Sequence, residues 1–150
     1  MVYIGADHRG FRLKEGLKKL LQELGIEFQD VGNAVYDPAD DYPDFAKKVA
    51  EAVSKNPDRD RGIVLCGSGI GVSIVANKFR NIRCAVATTI EMAQLAKLHD
   101  NTNIISLPAD FLTDSEAERL LKVWLETPFS GEERHVRRLA KIRESEEKRN

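Results

Sequence analysis

Short β-branched and apolar runs alternate along this chain with longer stretches of helical period. Val2-Tyr3-Ile4 reads as a strand, and Phe11 to Leu24 follows as a helix with Leu13, Leu17, Leu20, Leu21 and Leu24 on one apolar stripe. Gly25 stands where a left-handed C-terminal cap belongs. The pattern then repeats: strand Ile26 to Val31, helix from about Asp44 to Ser54, strand Ile63 to Cys66, helix Ile70 to Lys78, strand Arg83 to Ala87, helix Ile90 to Leu98 and strand Asn103 to Leu107. Strands alternating with helices predict a parallel sheet. Thr113 and Glu116 form a capping box ahead of Leu120, Leu121, Trp124 and Leu125, in a helix that Pro128 and Gly131 end. A final helix from about Glu132 carries Val136, Leu139 and Ile142, and the mixed charges from Glu144 to Asn150 predict a frayed tail. Asp37 to Pro43 is the longest loop. With right-handed crossovers, the expected fold is an α/β three-layer αβα sandwich with a five-stranded parallel Rossmann-like sheet and an extra C-terminal helix, residues 1–150 forming one domain.

Charge narrows the partners. The 23 basic and 24 acidic residues are interspersed and leave a net charge of -1, so no broad field recruits nucleic acid or an anionic membrane, and any anion site must be local. The chain shows no apolar run long enough to span a bilayer and no leader-like start, so a cytoplasmic location is expected. Cys66 and Cys84 lie in strands, lack the spacing of a zinc site and are expected to stay reduced. No metal or organic cofactor is implied.

In open α/β sheets, ligands bind beyond the carboxyl ends of the strands. The first such end is Gly5-Ala6-Asp7-His8-Arg9-Gly10, an acid, an imidazole and a guanidinium on one turn. Another is Cys66-Gly67-Ser68-Gly69-Ile70-Gly71, whose glycines let backbone N–H groups converge on an anion. A third polar cluster, Leu98-His99-Asp100-Asn101-Thr102-Asn103, precedes the last strand and is read as part of the same search. A bland reading exists for each: glycines for turn geometry, Cys66 as a small core residue, Asp7 as a cap for the first helix. The bland reading weakens because the thiol opens the anion loop itself. Amides around a thiol favour its thiolate, and the same amides stabilise an oxyanion formed beside it. A phosphatase loop of the Cys-x5-Arg type needs an arginine where this chain has Val72, and the Gly67, Gly69, Gly71 spacing departs from Gly-x-Gly-x-x-Gly. Proton abstraction next to a carbonyl fits best.

Gly5 to Phe11, Asp41-Tyr42-Pro43, Cys66 to Ser73, Ala76-Asn77-Lys78 and Arg134-His135-x-Arg137-Arg138 together resemble the signature segments of type B ribose-5-phosphate isomerases, a family that also holds galactose- and allose-6-phosphate isomerases. The resemblance covers nearly the whole chain. It implies an aldose–ketose isomerase interconverting ribose 5-phosphate and ribulose 5-phosphate through an enediolate. Cys66 would shuttle the proton between C1 and C2, and the amides of Gly67, Gly69, Ile70 and Gly71 would hold the enediolate; Asp100, whose carboxylate would repel that anion unless it faces away, would contribute to substrate binding only through its backbone. Ser68 would move the proton between the sugar oxygens, Asp7 and His99 would open the ring, and His8, Arg134 and Arg138 would bind phosphate. It also implies a homodimer, or a dimer of dimers, with shared active sites. Arg134 and Arg138 lie four apart on one helix face, which independently suits a phosphate.

Three positions depart from the family's pattern. His99-Asp100 stands where His-Asn is usual, Leu107-Pro108-Ala109-Asp110 replaces Leu-Gly-x-Arg and so removes a phosphate-binding arginine, and Asn81 replaces a glycine. An isomerase of a hexose 6-phosphate, or a non-catalytic sugar-phosphate or nucleotide-binding module, is the alternative.

Overall fold

The computed structural model describes residues 1–148. The elements are β1 (Val2–Ala6), α1 (Phe11–Glu23), β2 (Phe28–Asp30), α2 (Tyr42–Ser54), β3 (Arg61–Cys66), α3 (Ile70–Ala76), β4 (Cys84–Val86), α4 (Ile90–Leu98), β5 (Ile104–Pro108), α5 (Asp114–Glu126) and α6 (Glu133–Glu147). The five strands are all parallel, in the order β2-β1-β3-β5-β4. From β1 the chain crosses to β2 at one edge, then returns past β1 to β3 and continues to the other edge. Connections leaving β1 and β3 therefore diverge, which opens a crevice at the carboxyl ends of those two strands.

Both faces of the sheet are covered, so its central strands read as continuous apolar runs. Residues alternate between faces along a strand. Ile63 and Leu65 pack with Leu17 and Leu21 of α1 and with Leu121 and Trp124 of α5. Val64 and Cys66 turn the other way, against Val49 of α2 and Val72 and Ala76 of α3. The second face thus carries the thiol to the end of β3. Thr113 and Glu116 close the predicted capping box. Gly25 follows α1 at φ +67°, and Ile26 N–H donates to the Leu21 carbonyl at 2.9 Å, closing the helix as expected.

Several boundaries differ from the sequence pattern. β2 and β4 shorten to three residues each because both are edge strands with one neighbour. α2 begins at Tyr42 with Pro43 in its first turn, a position where a missing N–H costs nothing. α3 stops at Ala76 because Asn77 turns aside to β4, accepting from Cys84 N–H and donating to the Cys84 carbonyl, both at 2.9 Å. In α1, Leu24 is exposed and Lys14 is buried in its place. The α6 expectation needs correction: Val136 and Ile142 are about half exposed, and His135 is the buried residue of that helix. The helix also runs through Glu144, Ser145 and Glu146 to Glu147 instead of fraying, and Glu146 accepts the Asn81 N–H at 2.9 Å. The remainder of the expected tail, residues 149–150, lies outside the described residues.

Candidate active site

Asp7 follows β1 directly. Its Oδ1 accepts from the N–H groups of Arg9 at 3.0 Å and Gly10 at 3.1 Å, so it fixes the turn before α1, whose N-cap position is Gly10. Burial pushes the Asp7 carboxyl above the usual carboxylate range, against the lowering by those N–H groups and by His8. A carboxyl whose pKa is raised gives up its proton nearer the operating pH than an ordinary carboxylate does, which suits proton donation. Cys66 ends the neighbouring strand, where Asp7 N–H donates to the Leu65 carbonyl at 3.3 Å. The buried sulfur accepts from Gly69 N–H at 3.2 Å. Gly69 has φ +72°, and a Cβ there would meet Ser106 Oγ at 3.0 Å; that hydroxyl donates to the Gly69 carbonyl at 2.6 Å and pins the loop. Ser68 is exposed at the loop tip, its Oγ accepting Ile70 N–H at 3.3 Å.

These groups line an open cleft of about 340 Å³, shared by Asp7, Arg9, Tyr42, Cys66, Gly67, Ser68, Gly71 and Asp110. The Tyr42 ring lies over Gly71. Arg9 reaches across Gly67 to the Asp110 carboxylate, and a Cβ at Gly67 would sit 2.5 Å from Asp110 and 2.6 Å from the Arg9 guanidinium nitrogen. The arginine missing at position 110 is thus replaced by an acid already paired with a cation from β1's turn. His8, on that turn, binds Asp40 through Nδ1 at 2.8 Å, and this hydrogen bond raises its pKa.

The other predicted groups lie elsewhere. His99 caps the C-terminal end of α4, which runs back along the sheet, so His99 and Asp100 stand at the amino ends of the strands. The expectation that Leu98 to Asn103 belongs to the carboxyl-end cleft is therefore corrected. Ile104 pairs beside Gly62 and Pro108 beside Cys66, so the two ends are separated by roughly 13 Å of strand. Around His99, the His135 ring lies 4.3 Å away by centroid, and His135 Nδ1 contacts Ser130 Oγ at 2.7 Å. Burial and the neighbouring His99 lower the pKa of His135. Arg134 and Arg138 are exposed on α6 nearby, with Arg134 paired to Glu132 at 2.9 Å. Asp100 is exposed, and its carbonyl accepts from Arg83 Nε at 3.1 Å. The expected site residues thus fall into two groups: Asp7, His8, Cys66 and the glycine loop at one end of the sheet, and His99, Asp100, Arg134 and Arg138 at the other.

A sequence model of the "Ribose/Galactose Isomerase" family matches residues 2–142. The chain belongs to the ribose/galactose isomerase family. The probable ribose-5-phosphate isomerase B of Mycoplasma genitalium is 40% identical over 94% of this chain and 92% of its own length. The ribose-5-phosphate isomerase B of Mycolicibacterium paratuberculosis is 41% identical, covering 97% of this chain and 91% of the relative. The crystal structure of the Mycoplasma genitalium enzyme with bound ribulose-5-phosphate superimposes with a TM-score of 0.95, at 40% identity, over 97% of this chain and 95% of that one. The Clostridium thermocellum ribose-5-phosphate isomerase B gives a TM-score of 0.94 at 41% identity over 99% of both chains.

Within this family fold, three lining or supporting residues escaped the sequence reading: Tyr42, Ser106 and Asp40. Tyr42 lies inside a segment quoted for the resemblance, and that location was its only signal, whereas Arg9 is legible as the guanidinium of the first turn but without a role. Among the described residues no helix is long and apolar enough to cross a membrane.

Proposed function

We propose that this protein interconverts D-ribose 5-phosphate and D-ribulose 5-phosphate as a homodimer, with Cys66 as the base. The observation that carries the reading is the Cys66 thiol at the switch-point cleft, accepting the Gly69 N–H of its own loop and flanked by a buried carboxyl. Full-length likeness to a relative whose structure holds ribulose-5-phosphate supports the substrate.

The chemistry follows from the geometry. In the opened aldose, Cys66 takes the C2 proton, the electrons move to the carbonyl oxygen, and an enediolate forms beside the glycine-loop amides. Returning the proton to C1, while Ser68 passes a proton between O1 and O2, gives the ketose. Asp7, whose pKa burial raises, and His99 open the furanose. His8, Arg134 and Arg138 hold the phosphate.

A homodimer brings the two half-sites together, since the roughly 13 Å that separate the strand ends within one chain exceed the reach of one pentose phosphate's reacting end. Ile70 and Ile74 of α3 and Met92 and Leu95 of α4 are exposed apolar residues, an arrangement that suits a covering second copy. The enzyme is read as cytoplasmic.

The test is proton exchange. Incubated in heavy water with ribulose 5-phosphate, the protein should exchange the C1 hydrogen and yield ribose 5-phosphate, whereas allose and galactose 6-phosphates should react more slowly. Cys66→Ala should lower kcat by at least about a thousand-fold, the upper range for a lost general base, with KM changed little. Binding without exchange would identify a non-catalytic module, and turnover near the normal rate in Cys66→Ala would remove the thiol from the chemistry.

A further inference from the structure

His8 stands on the turn after β1, yet its ring is fixed from another part of the chain. Asp40, in the loop between β2 and α2, places one oxygen, Oδ1, against both the His8 backbone N–H at 2.9 Å and ring Nδ1 at 2.8 Å. The Asp40 side chain is only 7% exposed. Its other oxygen accepts from Asn33 Nδ2 at 3.1 Å. The Asn33 carbonyl in turn accepts from Lys14 Nζ at 2.7 Å, and Lys14, completely buried, is ion-paired with Asp30 at 2.5 Å. Asp30 also accepts from Lys18 at 2.8 Å and from Gly32 N–H at 2.9 Å. The buried lysine that breaks the apolar stripe of α1 is therefore the root of a polar chain. It runs from α1 through the end of β2 into the loop and ends on the ring of His8.

A buried cation and a nearly buried carboxylate are costly to desolvate, so a chain of this kind persists only when each member is satisfied. Nδ1 is committed to Asp40, which leaves Nε2 as the nitrogen available to a ligand. We propose that Asp40 is a positioning residue that keeps His8 an imidazolium, with Nε2 donating to the substrate phosphate, and that Lys14, Asp30 and Asn33 hold Asp40 in register. This rests on the reading of His8 as a phosphate ligand. The charged groups facing His8 are Asp7 and Arg9 on its own turn and Asp40 from the loop, and the Asp40 hydrogen bond is the largest influence raising its pKa. Arg9 opposes it, and Arg9 is itself paired with Asp110.

Asp40→Asn keeps the shape and an acceptor for the His8 N–H but removes the charge. The His8 pKa then falls. Below both pKa values His8 is protonated in either protein, and between them only the wild type keeps the cation. The KM of Asp40→Asn for ribose 5-phosphate, relative to wild type, should rise from near one below both His8 titrations to about five-fold between them, roughly the step from a charge-assisted to a neutral hydrogen bond. Loss of uniform phosphate binding leaves kcat within about two-fold. In parallel, NMR titration of the three histidines, with His8 assigned by its loss in His8→Asn, should show His8 titrating at lower pH in Asp40→Asn and inorganic phosphate binding more weakly between the two His8 titrations. An unchanged His8 titration overturns the proposal, as does a lowered titration with KM and phosphate affinity unaltered. A fall in kcat alone also overturns it. The NMR arm needs no isomerisation, so it decides the role of Asp40 even if the sugar assignment fails.

Discussion

Lys97 gives a stability test that the structure sizes directly. It lies in the last turn of α4, 5% exposed, its Nζ 3.3 Å from the Thr102 carbonyl and 5.5 Å from the centroid of the Trp124 ring. No carboxylate pairs with it among the described residues. Burial, with Arg61 and Arg83 nearby, lowers its pKa from 10.5 to about 8. Since the unfolded state holds the extra proton between pH 8 and 10.5, stability from this group rises with pH across that window, and at neutral pH the buried cation is a cost. At about 1.4 kcal/mol per pKa unit the cost is about 3.5 kcal/mol, and losing the long hydrogen bond and the ring contact gives back about 1.5 kcal/mol. Lys97→Met, similar in length and apolar, should therefore stabilise the protein by about 2 kcal/mol at pH 7, a rise in Tm of about 4–8 °C for a chain of this size. Thermal unfolding at one fixed protomer concentration, at pH 7 and pH 10, measures it, and the advantage should shrink at the higher pH. A less stable Met variant, or an advantage identical at both pH values, would refute the reasoning.

Two predictions probe the divided site. Cys66→Ala and Arg138→Ala, each weak alone, should regain partial activity when unfolded together and refolded as a mixture, because a hybrid dimer holds one site with neither substitution; recovery absent at every mixing ratio would confine both groups to one chain's site. His99→Asn should slow turnover of ribose 5-phosphate, whose furanose must open first, yet leave heavy-water exchange at C1 of ribulose 5-phosphate near normal, since that ketose is already open. Equal loss of both rates would tie His99 to the enediolate step instead.

Much of the fold was legible because its signals are local. The alternation of strand-type runs with helical stripes, the Gly25 cap and the Thr113–Glu116 box each need only neighbouring residues to act, and all appear where the pattern puts them. What failed depends on distant partners. Lys14 looks like a solvent-facing residue until Asp30 and the Asn33 carbonyl, sixteen and nineteen residues on, are placed around it. Likewise Val136 and Ile142, the apolar residues that mark α6 in the sequence, are about half exposed, while His135, whose helix face suggested inward packing, is buried against His99 and Ser130. Asn77 ends α3 early because it serves β4, a strand that follows it in sequence.

The candidate site divides along the same line. Asp7 and Cys66 were legible because parallel strands place their carboxyl ends together, and the crevice between β1 and β3 follows from the strand order once the crossovers diverge. His99 and the α6 arginines were recognisable by residue type, but their place was not, because the residues before a parallel strand stand at its far end. A helix that returns the chain from β4 to β5 must deliver its C-terminal residues to the amino edge of the sheet, whatever chemistry they carry. A sequence segment read as functional can therefore be unable to reach its expected partners within one chain. Under the proposed shared site, the strand-end separation of roughly 13 Å makes a prediction about assembly: these residues meet when a second copy brings its α4–α6 end to the first copy's thiol loop. A two-fold axis satisfies this for both copies at once, since an isologous contact that completes one site completes the other.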